Sequence, residues 1–516
     1  MRTLCRFVIL ASAVFGPLSY AAEPSAPEPR GESNVTRIWL SQASLDPELV
    51  TISWESAVAE NSVVELSVGS PAPGSQVVRH ERPDSPARAH AVEVRPPVKH
   101  GPWFYRVGGL SKLTPWIKAR GFDADELRTV IVADIGYGKQ PWAEAVLRED
   151  PHLVLTAGDN VPQLHEGGKP ADKTNVRAFQ KLIDQAPRLF EAVPFVPVLG
   201  NHDREIRPRG PKPPAEAVYD VTANAFRRFF ALPGNETFWH HDLPQFGVRF
   251  VALDLNHVQD FGTTWQTCNA FGPESEQFLW YRETMRKSNE PFVITIYNEK
   301  HSTVRGLAGG IWTPHVLKSS AVVTGFGYFA ERSEHGGVPC FNTSISGRGD
   351  KYPDPKSAVL KSEDNFLLLK FRKAGPAHAE LKSLTGEVLD SVDLPPRAQQ
   401  KQPASRNRRS RPAKPLRTRV VTQPLVLKQG AAPGDKAIFD GAGLVIDLGL
   451  DVTDHAWRRE GSIWRSTGKL LGANRSPPGK SRGSSSTKYR CRSRAMWRPR
   501  SCIPSERPVA TSRQKF

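Results

Sequence analysis

The sequence is poor in the residues that cysteine-based metal sites and membrane spans require. Only 5 of its 516 residues are cysteines, and no two of them form a CxxC pair. The cysteine-rich zinc modules are therefore excluded. Beyond the amino-terminal segment, no apolar run is long enough to cross a bilayer, so no membrane span is expected.

The amino-terminal segment has the pattern of an export signal. MRTLCR is followed by the apolar run FVILASAVF and by small residues around Ala21. This order predicts a signal peptide over residues 1–22 and a secreted or periplasmic protein. Residues 23–33, EPSAPEPRGES, then predict a Pro- and Glu-rich linker. An exported compartment permits disulfides, but the cysteine spacing indicates no particular pairing.

Acidic residues are scarce at the other end of the chain. Residues 397–516 contain 27 Lys and Arg against 7 Asp and Glu, a net charge of +20 that leaves −3 on the rest of the formal +17. The segments 396–435 and 471–516 are predicted to be disordered, because they combine one sign of charge with few apolar residues. Without interleaved aromatic residues, this basicity indicates no specific nucleic-acid partner.

A short stretch with strand-like alternation lies between the two basic segments. Residues 436–470 contain AIFDGAGLVIDLGLDVTDHAWRREGSIW, which resembles the opening of a laminin-G-like domain. Too little chain follows to complete such a sandwich, so a fragment is predicted. A frame change in the coding sequence would also produce a basic, patternless ending.

Two patterns follow one another in the central part of the chain. Residues 34–110 contain short strand signals at the intervals of an all-β sandwich, with Trp54 where such a domain buries a large aromatic. Over residues 127–395, apolar strands alternate with helical segments, which predicts a layered α/β domain. The strand signals are RTVIVADIG, PHLVLTAGD, VPFVPVLGN, GVRFVALDL, PFVITIYN and SAVVTGFGY, and the helix signals are ANAFRRFFAL and ESEQFLWYRETMRK.

Three of these strands end in polar clusters. VIVADIGYG delivers Asp134, LVLTAGDNV delivers Asp159, and PVLGNHD delivers Asn201, His202 and Asp203. A single Asp after a strand is most often a turn or helix-cap residue. Three such ends in one α/β domain indicate more than turns, because carboxylates that converge repel one another unless a metal cation lies between them.

These motifs resemble the first three blocks of the calcineurin-like metallophosphoesterases. The resemblance is carried by Asp134-Ile-Gly, Gly158-Asp159-Asn160 and Gly200-Asn201-His202-Asp203. The chain is most similar to the bacterial purple acid phosphatases, which carry a fibronectin-type-III-like domain in front. The resemblance implies an α/β fold of four layers, in which two mixed sheets are flanked by helices, preceded by a small all-β sandwich.

The resemblance also implies a phosphoesterase in which two metal ions clamp a phosphate ester while a hydroxide attacks phosphorus. Asp134 would bind the first metal, Asp159 would bridge both, and Asn201 would bind the second through its amide oxygen. His202 would contact the phosphate and help to protonate the leaving group, a task that suits an imidazole. His202 and its neighbour Asp203 are the catalytic candidates.

The same family uses three further imidazoles, and this sequence has none of them at the matching positions. The fourth strand, FVITIYNEKHS, has Asn298 at the first position, although a shift by one residue would put Tyr297 there. The fifth, GFGYFAER, has Phe326 and Tyr328 at the other two. The purple branch also uses a Tyr three residues after the bridging Asp, where this chain has Pro162.

The ligands that remain are oxygen atoms. Phe326 has no donor atom, Asn298 offers an amide oxygen, and Tyr328 could bind a ferric ion as a phenolate. His301, three residues after Asn298, could replace a lost imidazole, although loop histidines are mostly just solvated. Fe, Mn, Zn and Mg are the candidate ions, one or two per chain, and an oxygen-only set favours Mg, Mn or Ca over Zn.

Three functional hypotheses are compatible with these residues. The first is a metal-dependent hydrolase of phosphate esters with a degraded dinuclear site and reduced activity. The second is an inactive pseudophosphatase that serves as an exported binding protein. The third is a reading frame without function. All three predict the same fold and differ in metal content and turnover, while the substrate, the native metal and the oligomeric state are left open.

Overall fold

The computed structural model describes most of the region between the two predicted termini. It covers residues 32–397 apart from 68, 72–75, 139–140, 211–215, 257, 259–266 and 350, and it also covers four strands beyond residue 404. The predicted signal peptide, nearly all of the linker and most of the two basic segments lie outside the described residues. In the part of the chain that is described, no helix is long and apolar enough to span a membrane.

The amino-terminal region is a five-stranded antiparallel sheet with its own apolar core. Strand β2 pairs with β1 along its first part, with β4 along its last part, and with β3 along most of its length. Two predicted strand signals, ELVTISWES and NSVVELSVG, thus belong to one strand with an irregular register in between. The strands are β1 (Val35–Ser41), β2 (Val50–Ser67), β3 (Val77–Val94), β4 (Trp103–Gly108) and β5 (Ile117–Ala119).

Trp54 is buried in this region, as its position in the sequence predicts. It is inaccessible to solvent and stacks on His90 with 4.6 Å between the ring centroids. The all-β character of this region is confirmed, whereas its assignment as a fibronectin-type-III-like domain and the predicted domain boundaries stay predictions.

The first sheet of the α/β region has six strands in the order β18-β17-β16-β6-β7-β8. Strands β6, β7 and β8 are parallel, and β16, β17 and β18 continue the sheet in antiparallel pairing. The strands are β6 (Glu126–Val132), β7 (Leu153–Thr156), β8 (Phe195–Val196), β16 (Asn365–Arg372), β17 (Ala377–Ser383) and β18 (Val388–Leu394).

The second sheet has seven strands in the order β15-β13-β14-β12-β11-β10-β9. Its four central strands, β10, β11, β12 and β14, are parallel, and antiparallel strands complete both edges. The strands are β9 (Trp239–Leu243), β10 (Val248–Leu253), β11 (Phe292–Tyr297), β12 (Ala321–Thr324), β13 (Ala330–His335), β14 (Val338–Asn342) and β15 (Ser357–Lys361).

Short helices connect the strands. The longest of the described helices, α5, is capped by Ser275, whose hydroxyl accepts a hydrogen bond from the backbone N–H of Phe278. The helix buries Phe278, Tyr281 and Met285 at three-to-four spacing. The other predicted helix, over residues 223–232, is shorter than its sequence signal. The helices are α1 (Trp142–Arg148), α2 (Arg177–Gln185), α3 (Pro187–Ala192), α4 (Asn224–Phe229), α5 (Glu276–Lys287), α6 (His301–Gly306) and α7 (Thr313–Val316). Four 3-10 helices lie at Ile135–Tyr137, His202–Arg204, Pro244–Phe246 and Leu307–Gly310.

The two sheets share one apolar core. Buried side chains of the first sheet, such as Val130 and Leu369, and of the second, such as Phe250 and Ile294, belong to the same cluster. The predicted fold class is therefore confirmed: two mixed sheets of an α/β domain, preceded by a strand-rich region.

Beyond residue 404 the described strands form a separate antiparallel sheet in the order β19-β22-β21-β20. They are β19 (Leu425–Lys428), β20 (Leu444–Ile446), β21 (Leu450–Glu460) and β22 (Ile463–Ala473). The strand signals predicted over residues 436–470 correspond to three of them. The laminin-G-like assignment stays a prediction.

Candidate functional site

The loops that follow β6 and β7 are joined at the carboxyl edge of the first sheet. The backbone N–H of Asp134 donates to the carbonyl of Gly158 at 3.3 Å, and that of Gly136 donates to the carbonyl of Asp159 at 3.4 Å. Both aspartates have left-handed backbone conformations, with φ of 56° at Asp134 and 54° at Asp159. Asp tolerates this region better than most residues do, so the two turns can present carboxylates at the same place.

Two glycines allow this close approach of loops. A Cβ atom on Gly200 would lie 2.1 Å from the backbone nitrogen of Asp159. A Cβ atom on Gly325, which follows β12 in the second sheet, would lie 2.3 Å from the Cβ of Ala133. Any larger residue would therefore push the strand ends apart.

Asp203 joins two of these loops. Its Oδ1 accepts from the backbone N–H groups of Asn160 at 2.9 Å and Val161 at 3.1 Å. Its Oδ2 accepts from Nδ2 of Asn160 at 2.7 Å and from the N–H of Gly200 at 2.8 Å. Burial and the charge of Asp159 raise the pKa of Asp203 to about 7, although these donors oppose the increase. Asp203 is fully buried, and its carboxylate is occupied by hydrogen bonds to the two loops.

Asp134 is a buried acid with an unpaired oxygen. Burial raises its pKa well above the ordinary value, Asp159 raises it further, and a hydrogen bond to Ser344 opposes the increase. Among the described residues, no donor reaches its Oδ2 atom. Asp159 is 5% exposed and accepts a hydrogen bond from the backbone N–H of His202 at 3.2 Å. The two carboxylates therefore repel each other in a buried place.

Two buried asparagines contribute further unpaired atoms. Asn201 is inaccessible to solvent, and neither its Oδ1 nor its Nδ2 has a partner in the described part of the chain. Asn298 donates from Nδ2 to the carbonyls of Ala157, at 2.9 Å, and Gly325. Its Oδ1 atom is left without a donor, again with respect to the described residues.

Asn298, rather than Tyr297, connects the second sheet to this edge of the first. The hydroxyl of Tyr297 instead lies 2.6 Å from Nδ1 of His301, and the rings of His301 and His335 are 5.1 Å apart. Burial lowers the pKa of His301 to about 3, and Arg305 and His335 add to this decrease. His301 thus belongs to a neighbouring cluster around Tyr297. Its contacts in the described part of the chain do not include Asp134 or Asp159.

His202 is surrounded by polar groups. Its Nδ1 lies 2.7 Å from the carbonyl of Pro162 and 3.1 Å from Oε2 of Glu205. Its Nε2 lies 2.7 Å from Nη2 of Arg209, and the hydroxyl of Tyr137 lies 2.6 Å from Nδ1. Burial lowers the pKa of His202, but Asp159 and Glu205 outweigh this effect and leave the pKa above its ordinary value.

Tyr328 lies near Asp134 and Asp159, whereas the ring of Phe326 meets that of Tyr352. The ring of Tyr328 meets that of Tyr137 edge-on, with 5.5 Å between the centroids. Burial raises the pKa of Tyr328, and the charges of Asp134 and Asp159 raise it further, so its hydroxyl stays protonated. The ammonium of Lys300 lies 5.4 Å from the ring centroid of Phe326.

The structure brings most of the sequence-predicted residues together. Hydrogen bonds or electrostatic interactions connect the loops that carry six of them, namely Asp134, Asp159, His202, Asp203, Asn298 and Tyr328. The seventh, Asn201, lies in the chain between Gly200 and His202. Sequence reasoning missed Tyr137, Glu205 and Arg209. Glu205 stands three residues after His202, a spacing that a short helix turns into a contact, so its signal was present in the sequence.

The acidic and imidazole groups alone do not form a metal site. In the described residues, no group of three or more His, Cys, Asp or Glu side chains is arranged to hold a metal ion.

Comparisons with known proteins concern the fold that carries this site. Residues 127–320 match the family model described as calcineurin-like phosphoesterase. The purple acid phosphatase PPD1 from yellow lupin (Lupinus luteus) seeds has a similar structure, with 14% identity and a TM-score of 0.52 over 70% of this chain and 74% of that chain. PhoD is similar too, with 13% identity and a TM-score of 0.52 over 72% of this chain and 92% of that chain. At these identities the likeness shows the fold alone. A comparison with curated protein sequences found no match.

Proposed function

Since residues 127–320 form a calcineurin-like phosphoesterase domain, we propose that the protein is a metal-dependent phosphoesterase of reduced activity. Its site would bind a hard divalent cation through oxygen atoms only. The two similar structures, a purple acid phosphatase and PhoD, are compatible with a phosphate ester as the substrate.

The observation that carries this proposal is the set of unpaired buried oxygens. Oδ2 of Asp134 and the Oδ1 atoms of Asn201 and Asn298 have no donors among the described residues. Each such group costs about 1–3 kcal/mol when it is left without a partner. A cation bound by these oxygens and by Asp159 would offset this cost and the repulsion between the two carboxylates.

The donor set fits a hard cation and does not fit two ions held by imidazoles. Carboxylate and amide oxygens are the ligands of Mg²⁺, Mn²⁺ and Ca²⁺, whereas Zn²⁺ prefers nitrogen and sulfur. Phe326 has no donor atom, and the raised pKa of Tyr328 keeps its phenol neutral. The residues that would hold the cation are thus Asp134, Asp159, Asn201 and Asn298.

When bound, such a cation would polarise a phosphate oxygen and neutralise part of its charge. The chain's own groups have separate tasks. His202, whose Nδ1 is held by Glu205 and the carbonyl of Pro162, can give a proton to the leaving group from Nε2. Asp203 keeps the loops after β7 and β8 in register, so we assign it a positioning role rather than a contact with the substrate.

Reduced activity follows from the ligands that are absent. Changing a residue that only supports a metal ligand typically lowers metal affinity or activity by roughly 10- to 100-fold. Here Asn298, Phe326 and Tyr328 replace three ligands themselves, so the loss should be at least as large.

Hydrolysis of p-nitrophenyl phosphate, with Mn²⁺, Mg²⁺, Zn²⁺ or Fe³⁺ added in turn, tests the proposed function. We expect slow turnover that depends on Mn²⁺ or Mg²⁺ and that Asp159→Ala reduces by at least about 100-fold. The matched control is Asp242→Ala, an aspartate of β9 that pairs with Arg249 away from these loops. Turnover that survives Asp159→Ala would identify a contaminating phosphatase and contradict the proposal.

A second candidate function is an inactive pseudophosphatase that binds its ligand without hydrolysis. It is favoured by Phe326, which has no donor atom at a position where the resemblance implies a metal ligand. Binding of phosphate without any metal-dependent turnover would select this alternative.

A further inference from the structure

Arg209 is a cation beside the aspartates that no sequence motif identifies. Its Nε donates to Oε2 of Glu205 at 3.0 Å, and its Nη2 lies 2.7 Å from Nε2 of His202. The guanidinium carbon lies 5.8 Å from the ring centroid of Tyr219. A carboxylate thus fixes one edge of the guanidinium, and an aromatic ring lies near its face.

The side chain of Arg209 is partly exposed, so a ligand can reach its guanidinium. Of the Arg209 side chain, 31% is exposed, and the hydrogen bonds described for its guanidinium use Nε and Nη2. The carboxylate of Glu205, in contrast, is only 7% exposed. Burial lowers the pKa of Arg209, but the nearby Tyr219, Glu205 and Asp159 outweigh this effect. The charge of Arg209 therefore acts on the same place as the bridging aspartate.

A phosphate group that enters this site meets several negative charges. Asp134, Asp159 and Glu205 would all repel it, and the imidazoles that would hold two metal ions are absent. One oxygen-bound cation offsets only part of this repulsion. A guanidinium can offset the remaining repulsion, because its planar set of N–H donors matches two oxygens of a phosphate.

We propose that Arg209 binds the phosphate group of the substrate, and that Glu205 and Tyr219 hold its guanidinium in position to do so. This inference rests on the proposed phosphoesterase function and adds the residue that recognises the phosphate. It also gives a reason for the carboxylate of Glu205, which the metal site does not use.

The contact between Arg209 and His202 shows how phosphate binding would change the site. Arginine can only donate, so Nε2 of His202 must accept, and the contact belongs to a neutral imidazole with its proton on Nδ1. In this state Nε2 has no proton to give. A phosphate that accepts the Nη2–H group of Arg209 would break this contact and leave Nε2 free to take up a proton from solvent, which it needs before it can give one to the leaving group.

Binding of inorganic phosphate, measured by calorimetry on the full chain with Mn²⁺ present, tests the inference. We expect Arg209→Met to weaken binding by roughly 10- to 100-fold, because a hydrogen bond to a charged group is lost. The phosphate affinity of Arg209→Lys should lie between those of the wild type and Arg209→Met, because lysine keeps the charge but lacks the planar set of donors. The matched control is Arg207→Met, two residues away, which pairs with Glu216 and should bind phosphate as the wild type does.

Equal phosphate affinity in Arg209→Met and wild type would overturn the inference, and so would a wild type that binds no phosphate. If the Met variant melts at a lower temperature, Arg209→Gln, which keeps a donor for Glu205, replaces it. Calorimetry with Mn²⁺ alone reports on the proposed function separately. A wild type that binds phosphate through Arg209 but takes up no Mn²⁺ would contradict the metal site and leave the inference intact.

Discussion

At the scale of single residues, the site combines groups that a strand-end motif predicts with groups that it does not. Asp134, Asp159 and Asn201 follow strands whose apolar runs are plain in the sequence. Their meeting at one edge follows from the parallel pairing of β6, β7 and β8. Arg209 reaches the site through a loop with no periodic pattern, so the sequence could not predict its contact with His202.

The choice between Asn298 and Tyr297 shows a second limit of the sequence. Neighbouring residues of a strand point to opposite faces, so a shift by one residue exchanges the side chain that reaches the site. The sequence left both alternatives open. The hydrogen bonds from Asn298 to Ala157 and Gly325 decide which of the two lies at the edge of the first sheet.

Asp203 gives a residue-scale prediction about stability. Asp203→Ala removes an acceptor from four donors in a buried place, so we expect a loss of about 3 kcal/mol or more in the free energy of unfolding. Urea denaturation followed by tryptophan fluorescence measures it. Asp125→Ala, at a carboxylate that is 87% exposed and pairs with Lys373, should change stability by less than about 0.5 kcal/mol. Similar stabilities for the two variants would contradict the structural role of Asp203.

At the scale of elements, the sequence predicts the apolar strands of the α/β region but not its first three helices. All six strand signals of the α/β region correspond to strands of the two sheets. Helices α1, α2 and α3 have six to nine residues, and their periodicity is too brief to separate from that of a loop. The joining of two signals into β2 was missed as well, because the polar residues between them read as a turn.

Strand β9 gives an element-scale prediction about pH. His241 on this strand is 2% exposed, and burial lowers its pKa to about 4, with Asp242 opposing and His240 adding to the decrease. The unfolded chain has the ordinary histidine pKa of about 6.5, so the unfolded state binds more protons between these two values. Stability should therefore be complete above about pH 6.5 and fall by about 3 kcal/mol as the pH drops through about 4.

Urea denaturation at about pH 7 and about pH 4 checks this prediction. On acidification, His241→Leu should lose about 3 kcal/mol less of its free energy of unfolding than the wild type does. The control is His378→Gln, at a histidine of β17 whose side chain is 39% exposed. Its free energy of unfolding should fall on acidification by as much as that of the wild type. The same pH dependence in His241→Leu and wild type would show that His241 is not the group responsible.

At the scale of the whole molecule, the strand-rich region and the α/β region are packed together. Arg37 of β1 donates to Asp184 of α2 through two hydrogen bonds of 2.8 Å, and the ring of Trp39 stacks on Phe229 at 4.5 Å. The hydroxyl of Tyr105 in β4 donates to the carbonyl of Glu191 at 2.8 Å. The sequence predicted both regions but not these contacts, because they depend on which faces the two folds present to each other.

The resemblance to the calcineurin-like phosphoesterases is confirmed for residues 127–320. GNHD after an apolar strand, with GD upstream, is a specific pattern, and residues 127–320 match the corresponding family model. The proposed loss of activity depends instead on single ligand positions, at three of which the resemblance implies a histidine that this sequence replaces. Fold and function thus separate at a few residues, which is where an experiment is most informative.

We propose that buried oxygens, without imidazoles, hold a cation at the edge of the first sheet. Metal content, measured by plasma mass spectrometry after dialysis of the protein against Mn²⁺, tests this most directly. We predict about one Mn²⁺ per folded chain, which Asn201→Ala, at the fully buried unpaired amide, should remove without unfolding the protein. A folded wild type that retains no Mn²⁺, Mg²⁺ or Ca²⁺ would contradict the claim.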